Sequence, residues 1–215
     1  MVFYYTSRCG EYMIYMGKDK YENEHLIQYG LPEDVWFHVD DLSSAHVYLR
    51  LQPGMQLADL EGTDVLLDCA SLVKANSIAG CKKASVNVIY TRWKNLKKTN
   101  DMVDGQVGYH RPDNVKRVRV EKNNSIVKQI EKSKKELYPD LAAEQAARLK
   151  EIQLQKKNEW KKISKEKQKR KEEAIKEKEA RSYDRIMVAD KMTSNAERVA
   201  TVDTTAAEEF EDDFF

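Results

Sequence analysis

The 215-residue sequence has no apolar run longer than five residues, the longest being Met1–Tyr5 and Tyr12–Met16. A helix that crosses a bilayer needs about 20 mostly apolar residues. No such span is expected, and membrane contact is limited to a peripheral or partner-borne kind. The N-terminus also lacks a basic stretch followed by a long apolar one, so no secretory leader is expected. Cysteine is scarce: Cys9, Cys69 and Cys81, an odd number with no CxxC pair. That argues against a disulfide framework or a zinc ribbon and for a reducing compartment, cytoplasmic or nuclear. Cys69 falls on an apolar face and reads as core. HExxH, GxSxG, GxGxxG and P-loop patterns are all missing, so no enzyme chemistry, metal or cofactor is expected.

Charge is abundant: Asp, Glu, Lys and Arg make up 34% of the chain, and the formal net charge is +1. The near balance conceals strong segregation. Residues 1–81 carry five cations and twelve acids, net −7, whereas residues 82–119 carry ten cations and three acids, net +7. Residues 151–181 carry twelve cations and seven acids, net +5, and residues 182–215 three cations and nine acids, net −6. Such asymmetry points to interaction surfaces. Of the 19 aromatic residues, 13 lie in residues 1–110, so the material for a core is at the front.

The pattern predicts an α+β N-terminal domain over 1–120, with a mostly antiparallel sheet and one main helix. Residues 1–6 and 12–16 read as a hairpin, 22–29 as a short helix closed by Gly30, and 35–39 and 45–51 as strands. Residues 64–79 carry the main helix, with Thr63 as N-cap and Gly80 just beyond its end. Residues 85–91, 106–110 and 115–120 read as strands, the last alternating valine with cations as at a sheet edge. From 124 to 183 the chain reads as a long charged helix or weak coiled coil with a break near Pro139, its first piece running to about 137. Pairs such as Glu144/Arg148, Glu166/Arg170, Glu172/Lys176 and Glu177/Arg181 sit at helical i,i+4 spacing. The acidic 184–215 is expected to be a disordered tail.

His38 and His46, with Asp40 and Asp41 between them, read first as histidines hydrogen-bonded to carboxylates in a strand–loop–strand unit, and only second as ligands or acid–base groups. The stronger signal is the cationic second half of the domain: Lys82, Lys83, Arg92, Lys94, Lys97, Lys98, Arg111, Lys116, Arg117 and Arg119, interleaved with Tyr90, Trp93 and Tyr109. Cations beside aromatic faces suit a phosphate backbone and stacked bases. The bland alternative is a solvated face balanced by the acidic first half. A second basic stretch, Lys156–Arg170, holds eight cations against two acids and suits nucleic acid or an acidic lipid surface.

The run Asp34–Leu49 (DVWFHVDDLSSAHVYL), followed by LLDCASLVKANS, VNVIYT and NLKK with GQVGYH, resembles the NFACT-R domain family over about residues 1–120. The signature residues are Trp36, His38, Asp40, Ser44 and His46; relatives often read Gly-Ser-His where this chain has Ser44-Ala45-His46. The resemblance implies a module linked to RNA or the ribosome; with enzyme motifs missing, the chain reads as a non-enzymatic adaptor, and the helical rod is expected to take protein partners. Likeness to a stand-alone family member implies an alternative: a membrane-associated sensor of extracellular DNA, its contact falling on Lys18, Lys20, Tyr21, Glu22, Asn23, Glu24 and His25. A helix-mediated scaffold is a third reading.

Overall fold

The computed structural model describes residues 1–182; the tail read as disordered lies outside them. A seven-stranded, wholly antiparallel sheet forms the centre of a unit that runs from Met1 to Gln153. Its first strands, β1 (Val2–Thr6) and β2 (Met13–Gly17), form the expected hairpin. Helix α1 (Lys20–Tyr29) follows, then β3 (Asp34–Val39), β4 (Val47–Arg50), α2 (Asp64–Ala75) and β5 (Ser85–Arg92). Two-residue strands β6 (Leu96–Lys97) and β7 (Gly108–Tyr109) pair with each other, and β8 (Lys116–Glu121) lies at one sheet edge. Helix α3 (Asn124–Glu131), β9 (Lys135–Leu137) and α4 (Leu141–Arg181) complete the order.

Both faces of the sheet are covered, which explains why β3 and β4 are apolar almost throughout. One face packs Ile14, Val35, Phe37, Leu49, Val88 and Val120 against Leu66, Cys69, Leu72 and Val73 of α2 and Ile126 and Ile130 of α3. The other carries Val2, Tyr15, Trp36, Tyr48 and Ile89 under Leu26 of α1, Leu96, Trp93, Val107, Tyr109, and Leu141 at the start of α4.

Local signals place the helix starts. Asp19 accepts from the amides of Tyr21 and Glu22, both at 3.0 Å, and so starts α1 earlier than the expected residue 22. Thr63 caps α2 as expected, accepting from Leu66 N at 3.3 Å. The helix ends at Ala75 rather than 79. The Asn76 side chain turns back onto Leu72 O at 2.9 Å, and Ser77 Oγ donates to Ser43 O at 2.6 Å, so side chains compete with the helical ladder. Gly80 opens a short 3-10 turn instead of closing α2.

The region after 120 departs most from expectation. α3 stops at Glu131, six residues short of the predicted end, because the Ser133 hydroxyl donates to Ile130 O at 2.7 Å and accepts from Thr6 N at 2.9 Å. Lys135–Leu137 then joins β1 as an edge strand, Phe3 opposite Glu136. Both segments complete the N-terminal unit, which therefore extends past 120. The first turns of α4 also belong to it: Gln145 donates to the Gly30 carbonyl at 2.8 Å and Arg148 pairs with Glu33. From Leu154 onward, no described residue of α4 is buried. Of the four predicted i,i+4 pairs, Glu177–Arg181 forms at 2.7 Å, while Arg148 bonds Glu33 and Glu151 instead. Among the described residues, no helix is long and apolar enough to cross a membrane.

Candidate nucleic-acid interface

Strand alternation divides the ten cations of the second half before any tertiary contact acts. On β8, Lys116 shares its face with Val118 and Val120, which pack towards α2, so Arg117 and Arg119 point to the opposite face. Lys82 and Lys83 sit beyond the end of α2. The expected single basic surface is therefore not formed. Acids of the first half neutralise part of it as well: Lys98 pairs with Glu24 at 2.7 Å, Arg117 with Asp40 at 3.0 Å, and Lys116 with Glu61. Arg92 is spent on the Met55 carbonyl at 2.6 Å, and Arg119 on Ser85 Oγ at 3.1 Å.

Two of the interleaved aromatics are structural. Tyr90 is buried in the core. Trp93 donates to the Ile27 carbonyl at 2.8 Å, and its ring lies so close to Gly30 that a Cβ there would meet it at 2.3 Å. A small group survives in one place. The Asn95 amide accepts from Arg111 N at 2.8 Å and donates to Arg111 O at 2.9 Å, while Lys97 pairs opposite Gly108. This knots residues 94–97 to 108–111. Leu96 and Tyr109 turn inward, and Lys94, Lys97 and Arg111 are exposed, with no acid partner among the described residues.

The signature residues form one polar cluster under the same layer, with Trp36 and His46 buried and His38, Asp40 and Ser44 half-buried. Trp36 Nε1 donates to His46 Nδ1 at 3.0 Å, so the neutral His46 ring carries its proton on Nε2. Burial, with His38 adding to it, pushes the His46 pKa down to about 3, which keeps the ring neutral. His38 stacks on Trp36 at 5.4 Å and donates from Nδ1 to its neighbour's carbonyl, Val39 O, at 2.7 Å. Its pKa is lowered by burial, against the opposing pull of that carbonyl and Asp40. Ser44 Oγ accepts from Val39 N at 3.0 Å and donates to Ala45 O, fixing the turn between the two histidines. Tyr109 leans on Trp36 at 6.1 Å. An open cleft of about 1340 Å³ lies over this cluster, bounded by 17–20, 38–46, 104–109 and Arg117. Among the described residues, no group of His, Cys, Asp or Glu is arranged to hold a metal ion.

The alternative segment is largely occupied from within. Glu22 pairs with the N-terminal amine, and Glu24 accepts from Lys98 Nζ and from Gly105 N at 2.5 Å. Those two carboxylates hold the 98–106 loop and the N-terminus in place, a role their sequence neighbourhood did not signal. Lys18, Lys20, Tyr21 and His25 are exposed, Lys20 lying 3.8 Å from Asp104 and His25 stacking on Tyr29. Asn23 is buried. In α4, Lys156, Lys157, Lys161, Lys162, Lys165 and Lys167 are exposed and form no ion pair among the described residues, beside Trp160 at 70% exposure.

Comparison with known proteins places this architecture. The family described as "NFACT protein RNA binding domain" matches residues 1–111. Coiled-coil domain-containing protein 25 of Mus musculus is 56% identical over 199 residues, covering 91% of this chain and 95% of the relative. The Dictyostelium discoideum homolog of that protein is 54% identical over 149 residues, covering 69% and 72%. Protein JLP2 of Saccharomyces cerevisiae is 36% identical over 150 residues, covering 66% and 72%. The solved C-terminal part of the fibronectin/fibrinogen-binding protein of Streptococcus suis aligns at 25% identity with a TM-score of 0.50, covering 59% of this chain and 48% of that one.

Proposed function

The chain belongs to the NFACT-R family of RNA-binding domains, and on that premise we propose that it is a non-enzymatic RNA-binding adaptor. The N-terminal unit makes one RNA contact, and the unpaired lysines of α4 make a separate one. The observation that carries this reading is the group Lys94, Lys97 and Arg111. All three are exposed on the segments 94–97 and 108–111 that Asn95 ties together, and none has an acid partner among the described residues, while three of their sequence neighbours are neutralised. Unpaired cations on a rigid, cross-bonded layer release counterions when they meet phosphates, and that release is the main source of sequence-independent affinity. The unpaired lysines of α4 act by the same mechanism, with Trp160 offering a ring for stacking. The signature histidines are hydrogen-bonded and neutral, which suits an architectural role for the signature better than proton transfer.

Binding of a single-stranded RNA by the full chain, measured across a salt series, tests the reading. The Lys94→Glu/Lys97→Glu/Arg111→Glu variant is expected to bind more weakly, with the log–log salt slope reduced by about 2, at about 0.7 per lost phosphate contact. Lys116→Ala, which removes a cation on the other face of the sheet, is expected to leave both unchanged. Equal affinity and slope in the triple variant would reject the assignment.

A further inference from the structure

The signature cleft holds more than the packing of the domain requires. His38 donates from Nδ1 to a carbonyl, which can only accept, so the neutral ring leaves Nε2 as an acceptor, with no partner among the described residues. Asp41 and Asp113 also line the cleft without ion pairs among those residues, and Asp41 sits in the left-handed region at φ 57°. Tyr109 and the His38 ring supply aromatic surface, and Lys18 stands unpaired at the rim. Asn23 is a separate observation. It is only 9% exposed, it lines the cleft, and its Oδ1 has no hydrogen-bond partner. That oxygen is sealed against Gly17, so it marks a place where the wall of the cleft is under-bonded in the free protein.

The unpaired groups other than Lys18 are thus mostly acceptors beside aromatic rings. Phosphate does not fit among the carboxylates, but the edge of a base bearing hydrogen-bond donors does. We propose that the cleft holds an unpaired nucleotide whose base carries an exocyclic amino group (adenine, cytosine or guanine) and disfavours uracil. The amino group donates to His38 Nε2 or a cleft carboxylate, the ring stacks beside Tyr109, and the adjoining phosphate lies towards Lys18. Uracil presents one N–H between two carbonyl oxygens, and those oxygens face acceptors here. This inference rests on the RNA-binding reading and names which part of an RNA the cleft takes.

Fluorescence anisotropy of the full chain with 12-mers of A, C and U at one ionic strength provides the test. The expected result is that A and C bind alike and U about tenfold more weakly, the discrimination of one good base-edge contact. His38→Phe keeps the ring stack and removes the acceptor, and it is expected to bring the three oligomers together. Equal binding of all three oligomers by the unaltered chain overturns the inference and leaves the RNA-binding reading standing. Affinity that follows ring size, with C as weak as U, overturns it too. If no oligomer binds, the reading and the inference fall together.

Discussion

His46 and Asp34 are both buried, but each is reconciled with the interior differently. Asp34 accepts from Tyr15 OH at 2.5 Å, Leu31 N at 2.7 Å and Arg50 Nε at 3.1 Å, so its burial is offset by charge-assisted bonds. His46 has no carboxylate partner and is tolerated only as the neutral ring. Its folded pKa, about 3, lies below the ordinary 6.5, so between those values the unfolded chain binds a proton that the folded one refuses. Stability from this residue is intact above pH 6.5 and falls as pH drops towards 3, by up to about 1.4 kcal/mol per pH unit. Chemical denaturation at pH 7 and pH 5 is expected to show a loss of about 2 kcal/mol from His46. His46→Leu is expected to lack that part of the loss, yet to be less stable at pH 7 because the Trp36 indole N–H is left buried without an acceptor. Equal acid sensitivity in the two proteins would contradict the assignment. In the sequence, the two histidines read as bonded to the carboxylates between them, and the structure corrects the partners: His46 takes the indole of Trp36 and His38 the carbonyl of Val39. The indole was not legible as a partner, because nothing along the chain says that residues 36 and 46 face the same side of paired strands.

At the scale of elements, caps were legible and partners were not. Thr63 announces α2, since an oxygen-bearing side chain before an apolar periodicity satisfies the orphan amides of a first turn. In α3 the cap is Asn123, accepting from Ser125 N at 3.1 Å and Ile126 N at 3.3 Å. Asn123→Ala is expected to cost about 1 kcal/mol in urea denaturation, because fraying α3 loosens Ile126 and Ile130 from the core. A change within error would show that packing alone holds the helix. β9 was missed for a clear reason. Lys135, Glu136 and Leu137 are exposed and carry no strand periodicity; they become a strand because β1 offers an open edge and Ser133 delivers the chain to it. The i,i+4 pairs of α4 were only partly realised, since each exposed pair is worth a few tenths of a kcal/mol and alternative partners compete at equal cost.

For the whole molecule, the boundary placed at 120 on composition divides a packed unit. A fragment ending there loses Ile126 and Ile130 from the core and exposes the edge of β1. It is expected to unfold with low cooperativity or to aggregate, whereas a fragment ending at 153 is expected to give a single cooperative transition by circular dichroism. Equal cooperativity in both would show α3 and β9 to be dispensable. Charge behaves differently at this scale than along the chain. The −7 of residues 1–81 and the +7 of residues 82–119 are brought into contact by the fold, and Glu24, Asp40 and Glu61 consume three of the cations that looked free. The sequence by itself determined the local choices: the hairpin, the caps of the main helices, the alternation of β8, the apolar faces and the family signature. Those depend on neighbours within a turn or a strand. Which cations remain available, where the domain closes and what the signature encloses were decided only by tertiary structure, because ion pairs, sheet edges and clefts join residues tens of positions apart.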